Sequence, residues 1–391
     1  MTFRYGVLGA GRQGTAAAYD IARFGDAELI TVGDADLGAA QESAARVNTL
    51  AGRSVAEARQ VNARAPEDLG QYLKGLAACV SAVPYYLNAG VARAAIAAGC
   101  SLCDLGGNTD VVLEELAMDE AARAAAVSVI PDCGVGPGLI SNLAVYAIEK
   151  FNEAHEVLIY DGGLPQHPRP PFNYACFFNI EGLTNEYAGD ALYLRDGAPT
   201  RVKCFDESEY ELVEIPALGQ LEAFTTSGAL STMVTTYAGR LRTLKNKTLR
   251  YVGHYALFKG MAELGLLDLE PVRVAGSSVV PRDVLHALLI PRFAPLPEDR
   301  DLMVIHLRAH GLVDGRTRRL TLDMLDTYDE ATGFTAMERT TGFHASIVAQ
   351  MMARGETARG AIPLERAVSA ARMVEEVGRR GMEVKTQMLD E

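Results

Sequence analysis

Along the first 130 residues, short apolar runs alternate with longer segments of helical spacing. Phe3–Leu8, Glu28–Gly33, Ala58–Val61, Ala77–Val83, Ser101–Leu105 and Val127–Ile130 have the length and content of strands. Between them, Thr15–Phe24, Leu37–Leu50, a segment opened by Pro66-Glu67-Asp68, Ala89–Ala98 and Leu113–Ala126 read as helices. Acids in a first turn mark one start, and Gly99 marks one stop. Ala77–Val83 is a nearly unbroken run of small apolar residues, which fits a strand buried on both faces of a parallel sheet. The alternation predicts an α/β fold with a doubly wound parallel sheet.

The pattern changes at Pro131-Asp132-Cys133-Gly134-Val135-Gly136-Pro137-Gly138. A helix is expected over 139–151. After it, Glu156–Tyr160, Tyr174–Phe178, Arg201–Phe205 and Leu302–Ala309 look like strands, with helices at His254–Gly265 and Arg282–Ile290. This predicts an inserted α+β domain with a largely antiparallel sheet. Helices at Phe343–Ala353 and Leu364–Arg379 return the chain to the first sheet. The expected domains are therefore 1–132 plus 343–391, and 133–342.

Composition narrows the function. The chain has 391 residues, 49% hydrophobic and 22% charged, with a formal net charge of −13. No Lys/Arg block stands out, so nucleic acid and anionic membranes are poor partners. No charged-then-apolar leader opens the sequence and no apolar run reaches bilayer length, so a cytoplasmic protein is expected. The six cysteines are too sparse for a disulfide framework. Cys100-Ser101-Leu102-Cys103 runs into a strand, where no helix dipole lowers a thiol. The seven histidines form no metal-ligand spacing, and no metal is expected.

The sharpest motif is Gly9-Ala10-Gly11-Arg12-Gln13-Gly14, set between a strand and a helix. Gly9 permits a sharp turn, Gly11 lets a pyrophosphate approach the backbone, and Gly14 lets the helix pack close to the sheet. The first helical amides then face the phosphates. Asp34 follows about 20 residues later, where a carboxylate holds ribose hydroxyls. A 2′-phosphate would meet Asp34 with Asp36 close behind, so the expected cofactor is NAD and not NADP. A plain strand–helix turn with a solvated Asp is the competing reading.

Ser81-Ala82-Val83-Pro84-Tyr85-Tyr86-Leu87-Asn88, Asp104-Leu105-Gly106-Gly107-Asn108 and the 132–138 crossing resemble the saccharopine dehydrogenase-like oxidoreductases. Residues 162–165, 171–174, 181–187, 247–254 and 340–343 are similar to the lysine 6-dehydrogenase branch of that family. The resemblance covers nearly the whole chain. It implies a Rossmann domain that binds NAD, with contacts from Arg12, Gln13, Ala82, Val83 and Pro84 as well as the glycines. It also implies an inserted substrate and dimerisation domain, and a homodimer or homotetramer. The implied reaction is oxidative deamination of the lysine ε-amine to 2-aminoadipate 6-semialdehyde, which cyclises, and ammonia. Saccharopine and carboxylated polyamines are the alternative substrates.

Such chemistry needs a neutral amine, a proton acceptor and an anchor for the α-carboxylate. Glu181, an acid just before a glycine, is one acid/base candidate; a surface acid is its plainer reading. His254 is another, kept neutral at a helix start, or else a packed histidine. Arg250, between Leu249 and Tyr251, is the candidate for the carboxylate, unless its anion is structural. Tyr85 and Asp104 end strands in the nucleotide crevice, where Tyr85 is a catalytic and Asp104 a substrate-binding candidate. Asn173 and Tyr174 enter through the resemblance. Two rivals remain open: a thiol-dependent semialdehyde dehydrogenase using Cys133, and a non-catalytic NAD-binding scaffold or sensor.

Overall fold

The computed structural model describes residues 2–390. The chain forms two compact units, one of residues 1–146, 330–334 and 338–381, the other of residues 147–329, 335–337 and 382–391.

In the first unit, β1 (Phe3–Leu8) leads through helix α1 (Arg12–Phe24) to β2 (Ala27–Asp34), and α2 (Leu37–Ala51) leads to β3 (Ala56–Gln60). Then come β4 (Ala78–Ser81), β5 (Ser101–Asp104) and β6 (Ser128–Ile130). The spatial order is β6-β5-β4-β1-β2-β3, every pair parallel, and a two-residue strand Gly360–Ala361 adds beside β6. The order reverses between β1 and β4, the switch point at which open α/β sheets bind ligands. β4 and β5 are buried at all four positions each, as strands covered on both faces require. The segment expected as one helix over 113–126 is two, Thr109–Leu116 and Asp119–Ala124.

The later segment 338–381 packs back onto this sheet. Helix His344–Arg354 lies against α1, β4 and β5. The preceding turn, Arg339–Phe343, approaches α1 so closely that a Cβ on Gly342 would sit 2.7 Å from the Gln13 carbonyl oxygen. Arg380 is fully buried and donates to both oxygens of Asp20 on α1, at 2.7 and 2.9 Å. It also donates to Glu376 at 2.6 Å. Burying three charges is tolerable only because each one is paired and hydrogen-bonded.

The second unit is built on a nine-stranded mixed sheet. Its path runs Glu211–Ile215, Gly219–Phe224, Thr243–Arg250, Glu153–Pro165, Asp301–Val313, Arg316–Thr327 and Val384–Asp390. Thr243–Arg250 pairs parallel with Glu153–Pro165, and the other neighbours on this path are antiparallel. An aromatic core of Phe205, Phe224, Phe258 and Phe293 with Tyr174 and Tyr187 packs beside it.

Three expectations need correcting. The helix expected over 364–379 is two, Leu364–Ala367 and Ala370–Arg379. Tyr174–Phe178 is not a strand but irregular chain, because its rings plug that aromatic core and leave the backbone outside the sheet. The C-terminus does not stay with the nucleotide unit: Val384–Asp390 is an edge strand of the second unit, paired with Arg316–Thr327. No helix among the described residues is long and apolar enough to cross a membrane.

Candidate active site

In the first unit, the glycines of the 9–14 turn have three distinct surroundings. Gly9 has φ +106°, and a Cβ there would lie 2.6 Å from the Ala82 carbonyl oxygen. A Cβ on Gly14 would lie 1.8 Å from the Gly9 carbonyl oxygen, so only glycine lets α1 start against the strand end. Gly11 differs, because a Cβ there meets nothing within 4 Å. Its lack of a side chain answers no need of the protein's own packing and leaves the backbone approachable from outside. Gly11 is the N-cap of α1 and supplies no side-chain cap, so the helix presents its amide end to that space.

A cavity of about 330 Å³ opens here, lined among others by Gly9, Gly11, Asp34, Ala82, Val83 and Pro84. The Asp34 carboxylate is locked in place, accepting the Ala10 amide at 2.8 Å and the Asp36 amide at 3.0 Å. Open amides at one end and a fixed carboxylate at the other suit a dinucleotide's pyrophosphate and ribose. Asp36 has other work: it caps α2, accepting the Gly38 amide at 2.8 Å. Arg12 and Gln13 begin α1 but do not line the cavity. Asn62, Ala63 and Arg64, beyond β3, do line it, and sequence reasoning missed them. Arg64 is exposed at this rim, and its guanidinium donates to the Tyr86 hydroxyl at 3.2 Å.

Tyr85 follows Pro84 in a single 3₁₀ turn and packs over Gly107, where a Cβ would come within 3.2 Å of the Tyr85 Cβ. Asp104 is wholly buried and accepts the Gly106 amide at 2.6 Å. It faces Glu115, also fully buried. Burial and the neighbouring Asp104 drive the Glu115 carboxyl far up, so it keeps its proton at neutral pH. Asp104 thus anchors the 104–108 loop from beneath and does not present itself to a ligand.

Cys133 is equally inaccessible. Its thiol donates to the Ile130 carbonyl at 3.3 Å, and burial pushes it well above the ordinary thiol range. His344 bonds the Cys133 carbonyl oxygen at 2.9 Å, not the sulfur. A nucleophilic thiolate has no support here.

The second unit gathers a charged cluster around Arg250, the last residue of its strand. The guanidinium is buried between rings, 4.8 Å from the Tyr174 centroid and 5.8 Å from that of Tyr187. Nε donates to the Tyr187 hydroxyl at 2.9 Å and Nη1 to the Leu249 carbonyl at 2.8 Å. Nη2 stands 4.0 Å from Glu186 Oε2. A buried guanidinium with unspent donors and no bonded anion is prepared for one.

Two carboxylates flank it. Glu186 keeps 35% of its side chain accessible, yet the dense protein around it desolvates the carboxylate and lifts it to about 7, against the pull of Arg250. Asp161 is lifted by burial to about 6, and Asn246 donates to it at 2.6 Å. The other end of Asn246, Oδ1, is buried without a partner.

His254 opens the helix His254–Glu263. Burial, then the charge of Arg250, lowers it to about 3, so it is neutral at working pH. Its bonds fix the tautomer: Nδ1–H donates to the Phe172 carbonyl at 3.0 Å, and Nε2 accepts from the Tyr187 hydroxyl at 2.8 Å. With both nitrogens engaged, His254 orients Tyr187 and, through it, Arg250. Asn173 lies beside this group and donates to the Val252 carbonyl at 3.2 Å.

Glu181 is not part of the cluster. It sits exposed in the first turn of helix Ile180–Glu186, near Arg282 and His286. Five residues on a helix turn the side chain through about 140° beyond a full revolution, so Glu186, not Glu181, faces Arg250. Helical phase was the signal that could have found Glu186. Among the described residues no group of three or more His, Cys, Asp or Glu is arranged to hold a metal.

Comparison with known proteins agrees with both units. Residues 5–130 match the model of the saccharopine dehydrogenase NADP binding domain, and residues 134–382 that of the saccharopine dehydrogenase C-terminal domain. Mitochondrial alpha-aminoadipic semialdehyde synthase of Mus musculus is 22% identical over 345 residues, and that of Bos taurus 23%. Each alignment takes in 71% of this chain but 37% of the relative, so the chain spans well under half the length of these proteins. Among solved structures, apo saccharopine dehydrogenase (L-Glu forming) from Saccharomyces cerevisiae superposes with a TM-score of 0.80 at 17% identity, covering 99% of this chain and 100% of the other. Homospermidine synthase from Legionella pneumophila, solved with NAD, gives 0.68 at 12% identity, covering 100% and 93%. The two matched models together take in almost every residue described above, and the chain belongs to the saccharopine dehydrogenase family of NAD(P)-binding oxidoreductases.

Proposed function

We propose that the protein oxidises the ε-carbon of L-lysine with NAD and releases ammonia. One observation carries the reading: Arg250 and Glu186 present opposite charges 4.0 Å apart, too far to bond each other. That is the complement of an α-amino acid head group, with a carboxylate for Arg250 and an ammonium for Glu186. The relatives support the same chemistry from another side, because α-aminoadipic semialdehyde, the compound in their name, is what ε-oxidation of lysine yields.

The ε-ammonium first gives up a proton, since an ammonium has no lone pair with which to expel hydride. That proton passes to solvent, and Tyr85, which follows the cleft residue Pro84, is the candidate group that orients the amine. Bound NAD supplies the hydride acceptor. Loss of hydride from Cε leaves an iminium; water adds, and ammonia leaves as the aldehyde forms. Arg250, held by Tyr174, Tyr187 and His254, binds the amino acid head.

Saccharopine is the second reading, favoured by the family itself, because it too carries an α-amino acid head and a secondary amine at Cε. Assaying NADH formation with lysine, saccharopine and a carboxylated polyamine separates them. The proposal expects the highest kcat/KM with lysine. Turnover of saccharopine alone would transfer the assignment to it, and no turnover of any amine would leave a binding protein.

A further inference from the structure

The parallel pair of strands at the centre of the second unit's sheet gathers polar residues on one face. Thr248 stands beside Asp161 where Thr243–Arg250 pairs with Glu153–Pro165. Side chains alternate along a strand, so Asn246, Thr248 and Arg250 share a face, and Asp161 falls among them. Those three are buried, while Asp161 keeps part of its surface open. Lys245 and Lys247 point to the opposite face, where they bond Glu209 and Glu211. Neither lysine can neutralise Asp161.

The hydrogen bonds on this face are incomplete. Thr248 is satisfied by Thr226 at 2.6 Å. The Asp161 carboxylate accepts from Asn246 Nδ2 at 2.6 Å and from no other described residue. The same amide leaves Asn246 Oδ1 beside that carboxylate, buried and without a donor. Glu186 adds another open acceptor, its carboxylate hydrogen-bonded to no described residue and 4.0 Å from Arg250 Nη2. Asp161 and Glu186 feel each other's charge, and both feel that of Arg250. A buried acceptor left open inside a formed strand calls for a donor that the protein does not supply.

We infer that Asp161 and Asn246 complete the site for the ligand's α-ammonium, whose three N–H donors meet Asp161, Glu186 and Asn246 Oδ1. The inference rests on Arg250 as the partner of the α-carboxylate. Once that carboxylate occupies Arg250, two acids are left without a cation to share, and an ammonium is the group that replaces it. A hydroxyl brings one donor and no charge, and a plain carboxylic acid brings neither. The ligand class is therefore an amino acid with a free primary α-ammonium, and Asp161 is the residue that selects it.

Calorimetric titration of the full chain with L-norleucine and with hexanoate tests this, because the two share a carboxylate and a chain length and differ in the α-ammonium. Neither has an ε-amine, so the result is independent of what is oxidised. The wild type is expected to prefer norleucine by at least about tenfold, the lower end for a charged hydrogen bond. Asp161→Asn keeps the shape and removes the charge. It is expected to weaken norleucine by about 10- to 150-fold and to leave hexanoate unchanged or tighter, since a negative charge near its carboxylate is gone. Asn246→Ser keeps both acids and should weaken norleucine by a smaller factor; it carries the test if Asp161→Asn melts early. Parallel loss of both ligands, or norleucine binding unchanged in both variants, overturns the inference. Binding of neither ligand by the wild type removes the head-group site and the role of Arg250 with it. Norleucine binding as expected, with no NADH formed from lysine, refutes only the ε-oxidation.

Discussion

Arg250 Nη2 stands 4.0 Å from Glu186 Oε2, near enough to feel its charge and too far to share a hydrogen bond. The gap is what an amino acid's α-carboxylate and α-ammonium would bridge. If Arg250 grips the carboxylate, Arg250→Ala raises KM for lysine with little change in kcat, since that contact is the same in ground and transition states. A charged hydrogen bond of ~1.5–3 kcal/mol corresponds to about 10- to 150-fold. Wild-type enzyme should discriminate against 1,5-diaminopentane, which lacks the carboxylate, and Arg250→Ala should lose most of that discrimination. Steady-state kinetics with both amines give the answer.

Glu186 makes the same site depend on pH. Its carboxylate must be ionised to hold an ammonium, and burial lifts it from 4.5 to about 7. The expected kcat/KM for lysine therefore rises as pH passes through about 7, and Glu186→Gln removes that limb. Stability runs the other way. Between the ordinary value and about 7, the folded chain keeps a proton that the unfolded chain has released, so this group's contribution falls as pH rises across that window. Glu181→Gln, on the exposed face of the same helix, is expected to leave the profile within about threefold, as surface changes away from special features do.

Glu115 gives a larger stability effect of the same sign. Its folded pKa is raised, so protonation favours the folded state, and stability is lost as pH climbs above the ordinary carboxylate range. Glu115→Gln keeps the shape without the titration. Thermal melts of the variant should exceed those of the wild type by a margin that widens from mildly acidic to alkaline pH.

The buried Asp20–Arg380 pair ties α1 to the returning segment 338–381. Arg380→Met leaves the buried Asp20 carboxylate without its cation, while Glu376 keeps Arg372 and Arg379, and is expected to cost about 3–5 kcal/mol in denaturant unfolding. The charge-free double variant Asp20→Asn with Arg380→Met should recover part of that loss.

Cofactor choice turns on two residues of one cleft. Asp34 would oppose a 2′-phosphate, while Arg64, at the rim of the same cavity, would offer it a cation. The wild type is expected to favour NAD over NADP by roughly a hundredfold, about 2.7 kcal/mol. Asp34→Ser, with Arg64 intact, should shrink that preference at least tenfold. Titration with both nucleotides measures it, and equal affinities in the wild type would refute the role given to Asp34.

Much of the first unit was legible because its signals are local. The glycine turn, Asp34 and the β-α alternation each fit within about 35 residues, and the strand order follows from right-handed crossovers. The second unit hid its logic in long-range pairs. Thr243–Arg250 reads as polar, yet it is a central strand: Lys247 is buried against Glu209 and Glu211, Thr248 against Thr226, and Asn246 against Asp161. No periodicity shows that, since each partner lies elsewhere in the chain. The Asp314-Gly315 turn joining the two long strands was a readable signal, a two-residue loop with φ +51° and +72°. Arg250, Tyr174 and His254 were candidates from the sequence and the fold brings them into one cluster, but only the fold shows His254 orienting Tyr187 and Glu186, not Glu181, beside Arg250.

The most direct test of the account is the fate of deuterium placed on both positions of the lysine ε-carbon. With NAD, the reduced cofactor should gain one deuterium, the aldehyde product should keep the other, and ammonia should carry the ε-nitrogen. NADH without label, or label fully retained in the product, would contradict oxidation at Cε.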